Sequence, residues 1–182
     1  LLHDVVEDTN ISVDDLEKEF NKDIAGLVSG VTKLSGIKFY SRQQKQAENF
    51  MKMFLSMAKD IRVIIIKFAD RLHNMRTLEH LPLMKQRRIA VETRDVFAPL
   101  AHRLGMYKVK NEYEDLVLKT IKPKVYKDLL KKVKSSQSNR EKYLDEFLLP
   151  VEDQMNKSGF SYRTLRRTKH YYSIHGKMVK RN

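Results

Sequence analysis

The chain has no cysteine, so disulfides and thiolate metal sites are excluded. That composition fits a reducing compartment, and a cytoplasmic setting is expected. Only four prolines and six glycines interrupt its 182 residues, which leaves helical periodicity unbroken over most of the length. Long apolar runs are missing too. The longest stretch free of polar residues, proline and glycine is Val63-Ile64-Ile65-Ile66, far short of a membrane span, and no membrane partner is expected. Acidic residues are the minority charge, 23 against 36 basic, for a net +13. The imbalance is uneven: residues 1–60 hold 8 basic and 10 acidic groups, residues 61–105 hold 9 and 4, and residues 106–182 hold 19 and 9. An acidic first third with a basic remainder suits a cation site followed by surfaces for phosphorylated ligands or RNA. For any single cluster, such as Lys131-Lys132 with Lys134, a solvated helix face is the simpler reading.

What is present, 41% hydrophobic and 32% charged residues, is the composition of a globular chain with room for one good core, or one domain and part of another. The chain does not begin with Met and opens inside a helical pattern, so it is expected to be a piece of a longer protein. Ser12-Val13-Asp14-Asp15 reads as a capping box opening a helix through Leu16 and Phe20. A short helix from Ile24 to Val31 is expected to stop near Gly30, followed by a loop from Leu34 to Arg42. Gln43 to Lys59 reads as a long amphipathic helix whose methionines are core filler. Ile61 to Leu81 reads as the central buried helix. Lys85 to Arg103 follows, kinked at Pro99 and ended by Gly105. Helices are then expected over Tyr107 to Ile121, Val125 to Val133 and Asn139 to Asn156. Residues Phe160 to Leu165 alternate with β-formers and predict a strand, with a last helix beginning near Ser173.

The opening segment Leu1-Leu2-His3-Asp4-Val5-Val6-Glu7-Asp8 carries the most chemistry. On a helix Asp4 and Asp8 lie one turn apart, as do His3 and Glu7. Asp4 also neighbours Glu7, and like-charge pairs such as Asp4 with Asp8 or Glu7 cost about 0.2–0.5 kcal/mol each, while the only basic residues before Lys33 are Lys18 and Lys22. Imidazole and carboxylate are common ligands for a divalent cation. A solvated acidic helix end is the bland alternative. In the central helix, Val63, Ile66, Asp70 and Asn74 share a face at spacings of three and four. A carboxylate continuing an apolar face needs a partner. Arg71 and Arg76 would supply it in a structural reading. In the functional reading Asp70 joins His3 and Asp4 around a cation, and Asn74 and Thr77 sit where they can hydrogen-bond a ligand.

These motifs together resemble the HD superfamily of metal-dependent phosphohydrolases, and within it the RelA/SpoT homologues that make and degrade the alarmones ppGpp and pppGpp. The resemblance rests on residues His3 to Thr9, Val31-Thr32-Lys33-Leu34, Gln46 to Met53, Lys67 to Leu78, Phe97 to Gly105 and Lys110 to Leu116. It implies a mainly α fold, with an HD-type all-helical hydrolase domain over 1–121. Residues 122–182 would hold further helices and the first strand and helix of a truncated α/β synthetase domain. It also implies that His3, Asp4 and Asp70 are metal ligands, usually for Mn²⁺. Glu7 and Asp8 would activate the attacking water, and Asn74 and Thr77 would contact the nucleotide. The implied reaction removes the 3′-pyrophosphate, leaving GDP or GTP. The family's site includes a further histidine on an earlier helix, which this chain starts too late to contain. The isolated polypeptide is therefore expected to hydrolyse the alarmone poorly.

The basic stretch Arg166 to Met178 offers several cations near a helix start, a setting suited to a triphosphate. It also resembles the start of the RelA/SpoT synthetase domain. On that match Arg167, Lys169, Ser173 and Lys177 would contact donor ATP, with GDP or GTP as acceptor and Mg²⁺ required by a complete domain. Arg166 and Thr168 stand where the family usually has Gly and Pro. The chain ends before the catalytic carboxylates of that domain, so pyrophosphate transfer by this part is not expected. Ribosome or tRNA contact would belong to regions outside this chain. Two alternatives remain open to experiment: an HD phosphohydrolase for another nucleotide, and a basic helical module that binds RNA or the ribosome.

Overall fold

A computed structural model describes residues 2–35 and 60–181, and every described regular element is helical. The loop expected from Leu34 to Arg42 is helical at Leu34 and Ser35, and its remainder and the helix Gln43 to Lys59, with the motif residues 46–53, lie outside the described residues. The described chain forms two compact units, residues 1–113 and 114–182.

In the first unit, α1 (Leu2–Asp8) leads into α2 (Val13–Glu19) and α3 (Lys22–Ser35). The expected capping box is present. The Asp15 amide donates to Ser12 Oγ at 3.2 Å, and the Ser12 amide donates to the Asp15 carboxylate at 3.0 Å. The Ser12 hydroxyl, which donates to the Asp15 carboxylate at 2.6 Å, and then the Ser12 amide hold that carboxyl below its ordinary value. Leu16, Ala25 and Val28 form a buried cluster, with Leu2, Val6, Val13 and Ile24 packed on it. That cluster joins α1, α2 and α3 because each contributes apolar residues at helical spacing. Gly30 does not end α3, which continues to Ser35. Its role is packing: a Cβ at Gly30 would stand 2.8 Å from Val63 Cγ2 on the next described helix.

That helix is α4 (Ile61–Arg76), opened by Asp60, whose carboxylate accepts from the Arg62 amide at 2.8 Å. The Arg62 guanidinium also grips Asp23 of α3 through two bonds, at 2.8 and 2.9 Å. Both carboxyls are held low by Arg62. The helix expected to reach Leu81 stops at Arg76 and gives way to a single 3₁₀ turn, Leu78–His80.

α5 (Leu83–Glu92) and α6 (Ala98–Arg103) are separated by a π turn, Thr93–Phe97. The expected simple kink at Pro99 is thus a widened turn. Proline has no N–H and would press on the carbonyl four residues back. The Ala98 amide correspondingly reaches Thr93 O, five residues back. Gly105, at φ +72°, then ends the element. α7 (Tyr107–Ile121) matches its expected bounds. Phe68, Phe97 and Tyr113 pack edge-to-face in a ring of three, with centroids 6.2–6.4 Å apart. Each such pair adds about 0.5–1.5 kcal/mol beyond area burial.

In the second unit, α8 (Pro123–Ser135) and α9 (Gln137–Lys157) are divided by Ser136 alone, where a longer polar turn was expected. α10 (Tyr171–Arg181) closes the described chain. The expected strand at 160–165 is not formed. These residues are exposed and carry no ladder bonds, and no strand among the described elements is there to pair with them. Their alternating pattern is spent instead on tethers to α9: Tyr162 Oη donates to the Glu152 carbonyl at 3.3 Å, and Thr164 Oγ1 to the Glu152 carboxylate at 3.0 Å.

Candidate functional site

α1 carries His3, Asp4, Glu7 and Asp8 within two turns. The side chain of His3 lies outside the described residues. Asp4, Glu7 and Asp8 are exposed. α4 carries Asp70 and Asn74, with Thr77 at its C-terminal boundary. Seven residues separate Val63 from Asp70, so both lie on one face of α4. α1 packs on α3, and α3 meets that face through Gly30 against Val63. The sequence pattern alone could not reveal this arrangement, since Gly30 reads equally well as a helix stop.

Asp70 is half-buried, and neither Arg71 nor Arg76 serves it. Lys67 Nζ stands 3.3 Å from Asp70 Oδ2, and Asn74 Nδ2 donates to Asp70 Oδ1 at 3.1 Å. The lysine is one turn back on the same helix, an i,i+3 relation that sequence reading could have weighed. Arg71 turns instead to Glu92 of α5, with guanidinium bonds at 3.0 and 3.3 Å, and lies 4.2 Å above the Phe97 ring. Arg76 pairs with Glu112 of α7 at 2.6 Å. Thr77 Oγ1 donates to the His73 carbonyl at 3.0 Å, which leaves its oxygen free to accept.

A family model described as an HD domain matches residues 1–107. The chain belongs to the HD-domain family. The match takes in both the α1 acids and the Asp70 face. The Escherichia coli K12 protein named bifunctional (p)ppGpp synthase/hydrolase SpoT is 46% identical over 98% of this HD-domain chain and 26% of its own length. A Synechocystis protein named probable guanosine-3′,5′-bis(diphosphate) 3′-pyrophosphohydrolase is 50% identical over 98% of the chain and 24% of its own length. A Myxococcus xanthus protein named GTP pyrophosphokinase is 45% identical over 98% of the chain and 24% of its own length. The chain thus spans about a quarter of the length of the curated relatives it matches.

Membership of the HD-domain hydrolases implies a divalent metal. Among the described residues, no three histidine, aspartate or glutamate side chains form a group able to hold a metal ion. The donor chemistry nonetheless suits one: Asp70 keeps a cation against its carboxylate already, in the form of the Lys67 ammonium. The aspartates are hard oxygen donors of the kind such ions take, and His3 adds an imidazole.

At the basic end, Lys169 precedes α10, while Ser173 and Lys177 lie on it. The Lys177 ammonium beside Lys169 holds the latter below the ordinary lysine value, so two cations converge there. Ser173 Oγ lies 3.0 Å from His170 Nε2, and that imidazole nitrogen is 2.8 Å from the Glu114 carboxylate. Arg167 is exposed. Its neighbour Arg166 binds Asp145 of α9 at 2.7 Å. No periodicity in the sequence signals that pair. The start of α10 is held by Asp115, whose carboxylate accepts from the Tyr172 amide at 2.8 Å. Burial raises the Asp115 carboxyl above its ordinary value, against the pull of that bond and of His170.

Proposed function

We propose that this chain carries the site at which ppGpp and pppGpp, the alarmones of the stringent response, lose their 3′-pyrophosphate. The observation that carries this reading is the reach of the similarity. Relatives named for this reaction match 98% of the chain at 46–50% identity. His3, Asp4 and Asp70 hold the divalent cation, manganese by resemblance to the family. When bound, such a cation polarises a phosphoryl oxygen and lowers the pKa of a coordinated water. Glu7 and Asp8 orient the attacking water and take its proton. Asn74 and Thr77 hydrogen-bond the nucleotide. The water oxygen bonds to the phosphorus next to the ribose, the phosphorus–O3′ bond breaks, and the 3′ oxygen gains a proton. GDP or GTP and pyrophosphate leave.

The functional division falls between residues 121 and 122. Beyond it, Arg167, Lys169, Ser173 and Lys177 contact the triphosphate of ATP in a pyrophosphate-transferring domain that uses Mg²⁺. The relative named GTP pyrophosphokinase supports that assignment.

The test compares Asp70→Asn and Glu7→Gln in the full-length gene product, reading Mn²⁺-dependent pyrophosphate release from ppGpp. Each substitution is expected to reduce turnover by at least about 10²-fold. Asp70→Asn should also weaken Mn²⁺ binding, and Glu7→Gln should leave it largely intact. Undiminished hydrolysis by Asp70→Asn would overturn the reading. Preferred turnover of a different nucleotide would replace it with an HD phosphohydrolase of another specificity.

A further inference from the structure

Tyr113 is the largest fully buried side chain in the described molecule, with no exposed surface, yet it ends in a polar group. Its hydroxyl donates to the backbone carbonyl of Phe68 at 2.7 Å. A carbonyl in the middle of a helix is already used by the amide four residues on. A second, side-chain donor on it is therefore an added and directional constraint. Burial pushes the phenol well above the ordinary tyrosine value, so the proton stays on the oxygen and the bond persists at every physiological pH. Phe68 lies two residues before Asp70 and six before Asn74. It occupies the opposite side of α4, within the aromatic ring of three. Apolar packing alone allows a helix to slide and roll by small amounts. A directional hydrogen bond to the backbone at that level restrains both movements.

We infer that Tyr113 is a positioning residue for the candidate cation site: by holding the Phe68 carbonyl it fixes the rotation of α4 and hence the direction in which Asp70 and Asn74 point. The inference rests on the assignment of Asp70 as a cation ligand, and its test separates the two.

Mn²⁺ binding to the full-length gene product would be measured by titration calorimetry, with helix content followed by circular dichroism. The variants are Tyr113→Phe, Asp70→Asn and Leu100→Ala. Tyr113→Phe keeps the ring and deletes only the donor, so the fold is retained. Its Mn²⁺ affinity is expected to fall about tenfold, the lower end of what removal of a supporting hydrogen bond costs a metal site. Hydrogen exchange at the amides of Asp70 to Asn74 should quicken in the same variant. Leu100 is fully buried, and its apolar side chain takes no part in the hydrogen bond from Tyr113 to the Phe68 carbonyl. Leu100→Ala should lower the melting temperature at least as much while leaving Mn²⁺ affinity unchanged.

Wild-type affinity in Tyr113→Phe with lost binding in Asp70→Asn overturns the positioning role alone. Equal weakening in Leu100→Ala also overturns it, since the effect would then be loss of stability. Unchanged binding in Asp70→Asn overturns the ligand assignment and the inference together.

Discussion

At the scale of single residues, the approach of α3 to α4 is decided at Gly30. A methyl group there would meet Val63 at 2.8 Å, and Val63 is itself buried. Helix propensity favours alanine over glycine by about 1 kcal/mol, while overpacking a filled contact costs about 1–3 kcal/mol. Gly30→Ala is therefore expected to lose about 1 kcal/mol net. Val63→Ala loses more through its cavity. The double variant should be more stable than the sum of the two losses, because each change relieves the other. A double-mutant cycle in urea reads this coupling directly. A strictly additive cycle would mean that the contact does not limit packing. The same scale shows why charge pairing was hard to read in advance. Asp70 takes its partner from Lys67, whereas Arg71 and Arg76 reach other helices. Which acid an arginine meets depends on elements that converge only in the folded chain.

At the scale of elements, caps and periodicity were legible because they are local. The Ser12 capping box and the bounds of α7 follow from residues within one or two turns. The π turn at Thr93–Phe97 was not, since Pro99 permits a kink, a break or a widened turn with similar local cost. The start of α10 offers a pH test. Burial raises the Asp115 carboxyl, so the folded chain takes up this proton before the unfolded chain does. Its contribution to stability is greatest below the unfolded value of about 3.9. It declines as pH rises from there through the raised folded value, and is smallest at neutrality. Asp115→Asn keeps an acceptor for the Tyr172 amide and cannot ionise. Protection of the α10 amides, measured by hydrogen exchange relative to the intrinsic rate at each pH, is expected in that variant to be at least as strong as wild type at pH 7, and to lose its dependence on pH between 4 and 7. Faster exchange at pH 7 would show that the charge is needed for the cap.

For the whole molecule, charge is the property that composition foretells best. Residues 106–182 carry an excess of ten positive charges, and Lys124, Lys127, Lys131 and Lys134 of α8 are exposed. Such a surface attracts polyanions by counterion release. The chain is expected to bind single-stranded RNA without sequence preference, with affinity falling at least about tenfold between 50 and 200 mM salt. Asp70→Ala should leave that binding unchanged. Salt-resistant, sequence-selective RNA binding would favour a dedicated RNA module over a hydrolase with a basic flank.

The sequence by itself determined the helical class, most helix bounds after Gly105, and which acids and which histidine are proposed to bear the chemistry. Those features depend on residue type and on spacing within a few turns. Only the tertiary structure decided that Gly30 opens a seat for Val63, that Lys67 neutralises Asp70, and that Tyr113 reaches the Phe68 carbonyl. It also left residues 160–165 without a strand partner. The glycine and tyrosine contacts join residues more than thirty positions apart, and a strand needs a neighbour; no local pattern encodes either. Lys67 is the instructive exception. It lies one turn from Asp70, but burial of that turn against the rest of the fold made the nearby lysine its partner.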